Sequence, residues 1–315
     1  MRVLGTHHVH AMTVLRDLVA DRHAIDILDR SIPVADQIGQ AEVWLPGRTF
    51  VTPEILDAAP RLRLVQYFGT GYDRANLPEL ERRGLRLARV PAVNARAVAE
   101  LNLLLMLVLG RRFQEIPAAL AQGLQAYPLG RELAGATVVI VGLGACGSEL
   151  ARLCRAMGMR VVGAVRQPEA VPDRGPDAVG DVVSSTGRAF HAALGRADFV
   201  CLHVRLTDDT REMFGAAELA AMKRGSYLIN TARAELVDRA ALERALDAGP
   251  MAGCALDVFW TEPVPPDDPL VHHPRCIVTN HAAGFTEQSM RQSFELVAHN
   301  LDALAADQPL LGQVL

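Results

Sequence analysis

The stretch TVVIVGLGACGSELARLCRAMG, residues 137–158, decides the predicted fold of this 315-residue chain. It opens with a short apolar run, continues through a glycine-rich turn and closes with a helical pattern. The turn has the form Gly-x-Gly-x-x-Gly, and a strand before it with a helix after it is the context in which this spacing binds a dinucleotide. The stretch therefore predicts the first strand–turn–helix unit of a Rossmann-type sheet, with an ordinary glycine-rich turn as the alternative.

The three glycines of this turn have separate predicted roles. Gly142 permits the tight turn, Gly144 lets the backbone approach the pyrophosphate, and Gly147 lets the helix pack closely on the strand. The phosphates are expected at the N-terminus of the helix, where backbone N–H groups are unpaired. The predicted phosphate-binding residues are Gly142, Leu143, Gly144, Ala145, Cys146 and Gly147.

The next predicted strand, RVVGAV, ends at Val165 and is followed by Arg166. Enzymes that use NAD place an acidic residue here, which accepts hydrogen bonds from the 2′-hydroxyl of the ribose. An uncharged residue followed by a guanidinium group can instead accommodate and pair with a 2′-phosphate. The sequence therefore favours NADP over NAD, with a solvated Arg166 and a permissive site as the alternative.

Short β-rich runs alternate with helical patterns along the whole chain, which predicts an α/β protein with two doubly wound parallel sheets. We expect a smaller, flavodoxin-like substrate-binding domain at residues 1–98, completed by residues 284–315, and a Rossmann dinucleotide-binding domain at residues 99–283. The amphipathic pattern of residues 286–306 predicts a helix but does not say on which domain it packs. The predicted strands are VLGTH, AIDIL, EVWLP, LVQYF and LRLARV in the first domain and TVVIVG, RVVGAV, DFVCLHV, SYLINTA, GCALDVF and CIVTNH in the second.

Composition narrows the class of partner. The net charge is −4 and is spread along the chain, so no basic surface for nucleic acid or anionic lipid is indicated. The longest apolar run, residues 101–109 with Asn102 inside it, is too short to cross a bilayer and predicts a buried helix. We expect a small-molecule partner, no nucleic acid and no membrane.

The N-terminus lacks the features of a signal peptide, so we expect a cytoplasmic protein. The five cysteines show neither a Cys-x-x-Cys spacing nor a zinc pattern, and we interpret them as reduced core thiols. His7, His8 and His10 are close in sequence, but neighbouring residues of a strand face opposite sides and no acidic or cysteine partner adjoins them. The sequence therefore predicts no metal site.

Several motifs follow one another in a fixed order between about residues 69 and 281. They are GTGYD, VNARAVAE, GLGACG, the LH of CLHVRLTDDT, NTAR, LDVFWTEP and NHAAG. In this order they resemble the D-isomer-specific 2-hydroxyacid dehydrogenase family. The resemblance implies an NAD(P)-dependent reductase of a small 2-keto acid, such as glyoxylate or hydroxypyruvate, that works as a homodimer in which the helix at residues 101–109 takes part.

The resemblance also implies three catalytic residues that the chemistry requires. Arg233 is suited to hold the substrate carboxylate and polarise its carbonyl, because a guanidinium group can bind both oxygens together. His281 is suited to donate the proton, and Glu262 to hold the histidine ring in its charged form. Taken singly, each residue has an ordinary structural role as its alternative, but their joint occurrence after a dinucleotide fingerprint favours catalysis.

Further contacts are implied by the resemblance alone. A loop comprising Phe68, Gly69, Thr70 and Gly71 presents backbone N–H groups to the substrate carboxylate. The cofactor is contacted by His203, Thr231 and Ala232, and by Asp257, which faces the nicotinamide carboxamide. For Asp257, a capping role at the end of its strand is the alternative.

The chain departs from the family pattern at three points. Arg205 replaces a proline, Ala234 replaces the glycine after the catalytic arginine, and Asn280 replaces the proline before the histidine. The resemblance places Arg205 near the adenosine, where it could contact a 2′-phosphate, with a surface role as the alternative. Ala234 and Asn280 keep the side chains of the catalytic residues. The last two substitutions put the backbone geometry of their turns in question. Two other functions remain open: a nucleotide-sensing corepressor-like protein, and a dehydrogenase of a non-carbon substrate such as phosphite.

Overall fold

The computed structural model describes residues 1–6, 9–124, 128–171 and 180–315, with the backbone alone for residues 9–11 and 118. These residues form two compact units. One comprises Met1–Asn94 and Thr286–Leu315, and the other comprises Ala95–Phe285. Both boundaries fall at the start of a helix, a few residues from the positions predicted at 98/99 and 283/284.

The first unit contains a parallel sheet that has five strands within the described residues, in the order β2-β1-β3-β4-β5. This is the strand order of a flavodoxin-like domain. Its elements are β1 (Arg2–Gly5), α1 (Val9–Val19), β2 (Ala24–Ile27), α2 (Val34–Gln37), β3 (Val43–Leu45), α3 (Pro53–Asp57), β4 (Leu64–Gln66), α4 (Leu77–Arg82), β5 (Arg86–Ala88) and the C-terminal α12 (Glu287–Ala305).

The second unit contains a parallel sheet with seven strands in the described part of the chain, in the order β12-β11-β10-β9-β6-β7-β8. Counted from β6, this is the Rossmann order 3-2-1-4-5-6 with a seventh strand added. Its elements are α5 (Ala95–Gly110), α6 (Glu115–Ala121), β6 (Thr137–Val141), α7 (Ala145–Ala156), β7 (Arg160–Val165), β8 (Asp181–Ser184), α8 (Gly187–Leu194), β9 (Phe199–Leu202), α9 (Ala216–Ala221), β10 (Tyr227–Asn230), α10 (Arg239–Ala248), β11 (Gly253–Leu256), α11 (Pro269–His272) and β12 (Cys276–Val278).

The predicted fold class is confirmed, and all eleven predicted strands are present. Strand β8 was not predicted. It lies at the edge of its sheet, none of its four residues is fully buried, and it carries only two apolar residues. A run this short and this polar does not stand out by hydrophobic periodicity.

Successive side chains of a strand point to opposite faces of its sheet, and in both sheets these faces are buried. In β3, Val43 and Leu45 belong to one hydrophobic cluster and Trp44 to another. In β6, Val139 and Val141 belong to one cluster, whereas Val138 and Ile140 belong to the other. Parallel sheets need helices on both faces, which is why these strands are apolar throughout.

Helix α12, whose packing the pattern left open, belongs to the first unit. Phe294, Val297 and Leu301 join the cluster that includes Val3 and Leu15. The buried amide of its Asn300 donates to the Gln66 side chain at 2.8 Å and to the Leu311 carbonyl at 2.9 Å, and accepts from the Leu311 N–H at 2.8 Å. These hydrogen bonds satisfy the buried amide and secure the C-terminal segment to β4.

None of the helices within the described residues combines the length and the apolar character that a bilayer crossing requires. The five cysteines are free thiols; four are buried, and Cys146 is half-buried rather than in the core.

A buried carboxylate secures the start of the larger sheet. Asp198 accepts hydrogen bonds from the Thr137 N–H at 2.9 Å, from Arg131 at 2.7 Å and from Lys223 at 2.6 Å. Burial by itself opposes the charged form, but the hydrogen bonds from Lys223 and Thr137 outweigh it, so the pKa of Asp198 lies below its ordinary value. A carboxyl group whose pKa is lowered by folding stabilises the protein above its unfolded pKa, and that stability is lost as the pH falls through the folded pKa.

Asp198→Asn should therefore reduce the free energy of unfolding by about 1–3 kcal/mol at neutral pH, measured by urea denaturation. The difference from the wild type should narrow as the pH falls from the ordinary carboxyl pKa of the unfolded chain, about 3.9, through the lower pKa of the folded protein. The control is Asp26→Asn, because Asp26 pairs with Arg2 at an exposed site and its loss should cost under about 0.5 kcal/mol. Equal losses for the two variants would contradict the structural role of Asp198.

Candidate active site

Three adjacent strands of the larger sheet end level with one another. The register pairs Asn230 with Leu256 and Leu256 with Val278, the last residues of β10, β11 and β12. In parallel sheets, the segments that follow the carboxyl ends of the strands share one edge, and ligands bind there. The segments that carry Arg233, Glu262 and His281 all start from this edge.

His281 and Glu262 are in direct contact. The ring Nδ1 lies 3.0 Å from Oε1 and 3.2 Å from Oε2 of the carboxylate. The Glu262 side chain is only 6% exposed, whereas the His281 ring is 32% exposed. The hydrogen bond to this buried carboxylate fixes the orientation of the ring. Because Nδ1 faces the carboxylate, Nε2 is the nitrogen left for a substrate.

The turn that carries His281 is held by Asp257. The fully buried Asp257 accepts from the Thr279 hydroxyl at 2.5 Å, from the Ala282 N–H at 2.7 Å and from the Ala283 N–H at 2.9 Å. His281 itself has a φ of 61°, a left-handed conformation that residues with a Cβ seldom adopt. The resemblance alone did not predict this set of contacts.

The turn that carries Arg233 is braced by the last residue of β10. The Asn230 side chain donates to the Arg233 carbonyl at 2.7 Å and accepts from the Ala232 N–H at 3.0 Å. The Arg233 guanidinium donates to the Ala232 carbonyl at 2.7 Å. Ala234, which replaces the glycine of the family, starts a 3-10 helix and is not among the left-handed residues, so this turn does not need glycine.

Asn102 is a buried residue beside this turn for which no role was predicted. Its side-chain amide donates to the Val98 carbonyl and to the Thr231 hydroxyl, both at 2.8 Å. Asn102 therefore links α5 to the NTAR segment. A single amide inside the apolar run at residues 101–109 is the signal that could have identified it, because a buried amide requires a hydrogen-bond partner.

The glycine turn lies at the point where the strand order of the larger sheet reverses, between β6 and β9. A Cβ on Gly142, whose φ is 96°, would lie 2.6 Å from the His203 carbonyl oxygen, and one on Gly147 would lie 1.9 Å from the Gly142 carbonyl oxygen. A Cβ added to Gly144 would have no atom within 4 Å, so the space in front of this residue is open. Two glycines that pack and one that leaves room fit the predicted pyrophosphate site at the start of α7.

His203 follows β9 and adjoins this turn. Its backbone N–H donates to the Val141 carbonyl at 2.7 Å. Burial lowers the pKa of its imidazole ring to about 4. The ring is therefore neutral at physiological pH and adds no positive charge to the site. At the end of β7, Val165 is followed by Arg166, whose side chain is 83% exposed and lies 3.8 Å from the equally exposed Asp209 carboxylate.

The loop that follows β4 belongs to the first unit. The Gly69 carbonyl accepts from the Val90 N–H at 3.1 Å, and the Thr70 hydroxyl donates to the Val90 carbonyl at 3.2 Å. The Phe68 ring is buried and meets the Phe294 ring edge-on at 5.6 Å. Phe68 therefore packs in the core, which leaves its backbone for any contact with a ligand.

Among the described residues, no group of three or more histidine, cysteine, aspartate or glutamate side chains is arranged to bind a metal ion. His7, His8 and the side chain of His10 lie outside the described residues.

Known proteins are similar to this chain in sequence and in fold. A sequence model described as "D-isomer specific 2-hydroxyacid dehydrogenase, NAD binding domain" matches residues 103–283. The chain belongs to the D-isomer specific 2-hydroxyacid dehydrogenase family. The dehydrogenase is thus an oxidoreductase that acts on the CH–OH group of 2-hydroxy acids with a nicotinamide cofactor.

Relatives of the dehydrogenase include two glyoxylate reductases. That of Korarchaeum cryptofilum (strain OPF8) is 34% identical over 261 residues, which are 80% of this chain and 76% of the relative. That of Thermococcus litoralis is 35% identical over 266 residues, or 81% and 77% of the two chains. Among solved structures, the TT0316 protein of Thermus thermophilus has a TM-score of 0.85 at 30% identity and is matched over the full length of both chains.

Two glycine variants of the dehydrogenase test the fit of the turn to a dinucleotide. Gly144→Ala should leave the melting temperature unchanged, because its Cβ meets nothing, yet weaken cofactor binding at least about tenfold by blocking the pyrophosphate. Gly147→Ala should instead lower the melting temperature, because its Cβ would overlap the Gly142 carbonyl. Thermal denaturation and fluorescence titration with the reduced cofactor measure both effects. Unchanged cofactor affinity in a folded Gly144→Ala protein would exclude this turn as the pyrophosphate site.

Proposed function

We propose that the dehydrogenase reduces a small 2-keto acid, such as glyoxylate or hydroxypyruvate, with His281 as the proton donor. The observation that carries the proposal is the hydrogen bond between His281 Nδ1 and the buried Glu262 carboxylate at 3.0 Å. The glyoxylate reductases among the relatives support the substrate class.

The chemistry requires a proton to arrive as negative charge develops on the carbonyl oxygen. When bound, the nicotinamide supplies a hydride to C2 of the keto acid. His281 donates the proton from Nε2 to the new hydroxyl group, and in the oxidation direction the same nitrogen accepts it. Glu262 holds the ring by Nδ1, so that it fixes the ring orientation and stabilises the charged form that precedes the donation.

Arg233 supplies the positive charge in this proposal. Its guanidinium binds the substrate carboxylate and polarises the carbonyl group, which makes C2 more electrophilic. The bracing of its turn by Asn230 holds the backbone from which the side chain extends. We propose that the loop of residues 68–71 binds the substrate carboxylate through its backbone N–H groups. We propose that Thr231, Ala232 and His203 contact the cofactor.

His281→Ala should reduce kcat for glyoxylate about 10²–10⁴-fold, the usual contribution of a general acid. Glu262→Gln should cause a smaller loss, because the ring keeps a hydrogen-bond partner but not a charged one. The assay follows oxidation of the reduced cofactor with a panel of 2-keto acids. The matched control is His299→Ala, which changes an exposed histidine of α12 in the other unit and should leave kcat unchanged.

Wild-type rates in His281→Ala would exclude the proposed proton donor. If the wild-type protein binds the cofactor but turns over none of the acids, a nucleotide-sensing protein or a non-carbon substrate such as phosphite becomes the better interpretation.

We also propose that the preferred cofactor is NADP(H). No acidic side chain ends β7, and Arg166 stands directly after it with its guanidinium largely in solvent. Its pairing with Asp209 is an exposed contact at 3.8 Å, worth at most about 1 kcal/mol, so a 2′-phosphate can compete for the guanidinium.

Arg166→Ala should raise KM for NADPH about tenfold or more and leave KM for NADH nearly unchanged, because only NADPH carries the 2′-phosphate. Steady-state kinetics with both cofactors measures the ratio. Arg244→Ala, which removes an exposed arginine from α10, is the control and should change neither value. A wild-type enzyme that prefers NADH, or parallel changes for both cofactors in Arg166→Ala, would contradict the proposal.

We further propose that the dehydrogenase is a homodimer in the cytoplasm. Leu104 and Leu107 of α5 are 53% and 37% exposed, and Phe113 and Ile116, further along the chain, are exposed as well. Exposed apolar side chains of this kind suit a two-fold contact with a second copy, which supports a homodimer. The free cysteines support a reducing compartment such as the cytoplasm.

A further inference from the structure

We propose that Asp209 opposes the binding of a 2′-phosphate at Arg166 and so limits the preference of the dehydrogenase for NADP(H) over NAD(H). The inference rests on the proposed use of NADP(H). It assigns a selectivity role to an acidic residue on the segment after β9, a different segment from the end of β7 where an acidic residue would usually read the ribose.

Arg166 and Asp209 come from strands on opposite sides of β6, which lies between β7 and β9 in the sheet. Val141, the last residue of β6, is level with Ala164 of β7 and with Leu202 of β9. Two strands that flank a third lie about 10 Å apart. Nevertheless, the Arg166 guanidinium lies 3.8 Å from the Asp209 carboxylate. The pair therefore spans the end of β6, where the predicted pyrophosphate turn starts.

The backbone that carries Asp209 is held by hydrogen bonds. The Thr210 hydroxyl donates to the Arg205 carbonyl at 2.7 Å. The same hydroxyl accepts from the Thr207 N–H at 2.8 Å. Asp209 directly precedes Thr210, so its carboxylate extends from an ordered turn. The carboxylate therefore stays within reach of the Arg166 guanidinium.

The two side chains have opposite effects on a 2′-phosphate. The Arg166 guanidinium attracts the phosphate, whereas the Asp209 carboxylate repels it and pairs with the same guanidinium. A phosphate monoester carries between one and two negative charges at neutral pH, so it responds to both groups. The 2′-hydroxyl of NAD(H) is neutral and meets no such repulsion. Removing the carboxylate should therefore strengthen the binding of NADP(H) and not that of NAD(H).

The exposure of the pair sets the size of this effect. Both side chains are largely in solvent, so water and salt screen the charges. An exposed ion pair of this kind changes an equilibrium constant by up to about fivefold. The effect on cofactor binding should accordingly be a few-fold and should weaken as the ionic strength rises.

Asp209→Asn tests the inference because it removes the charge and keeps the size of the side chain. We expect the dissociation constant of NADPH to fall about three- to fivefold at low ionic strength, and that of NADH to change less than about 1.5-fold. Fluorescence titration with each reduced cofactor measures these constants without turnover. In about 0.5 M salt the gain for NADPH should shrink below about twofold, because the charges are screened.

Asp247→Asn is the matched control. Its carboxylate is also exposed, but it lies near the end of α10, which leads to the start of β11 at the opposite edge of the sheet. The same chemical change there should alter neither constant. The second test places Asp209→Asn in an Arg166→Ala background. The gain for NADPH should then be less than half as large, because no guanidinium is left to be released.

Three results would overturn the inference. The first is an NADPH affinity in Asp209→Asn equal to that of the wild type. The second is an equal gain for NADPH and NADH, and the third is a gain for NADPH that persists in full without Arg166. Failure of the proposed cofactor preference is recognised separately, because Arg166→Ala would then bind NADPH as tightly as the wild type, whatever Asp209→Asn shows.

Discussion

The contact between His281 and Glu262 depends on the parallel register of β11 and β12. Because Leu256 and Val278 are level at the end of these strands, the segments that follow start side by side. The Glu262 carboxylate, on the segment after β11, lies 3.0 Å from Nδ1 of the His281 ring, on the segment after β12. A slip of one residue would turn the side chains of a strand to its other face and separate the two groups. The chemistry of the site is thus set by strand pairing in the core of the second unit.

The edge of the larger sheet at the carboxyl ends of its strands has two regions that differ in packing. At the reversal of strand order, close packing of Gly142 and Gly147 leaves the backbone of the turn compact, and open space lies in front of Gly144. After β10 and β12, the buried Asn230 amide and the buried Asp257 carboxylate hold two turns by hydrogen bonds. One region leaves open space beside its backbone, whereas the other holds its side chains and turns in fixed positions.

Sequence patterns predicted the fold class and the residues with distinctive chemistry, because both leave local signals. The glycine spacing, the apolar strands and the order of the motifs can each be read directly from residues 69–281. The bracing contacts leave no such signal: Asn102 meets Thr231 across 129 residues, and Asp257 meets Ala282 across 25. Strand β8 was missed because an edge strand with little apolar area does not show a period. Long-range polar contacts follow from the folded geometry and therefore had to be observed.

The most direct test of the account is the pH dependence of kcat/KM for the wild-type enzyme, measured in both directions with a 2-keto acid and its 2-hydroxy acid. If the His281–Glu262 pair handles the proton, reduction must require the protonated form of one group and oxidation the unprotonated form of the same group. As the pH rises, the rate of reduction should fall and the rate of oxidation should rise through one common pH region. Rates that do not depend on pH, or that change in different pH regions for the two directions, would contradict it.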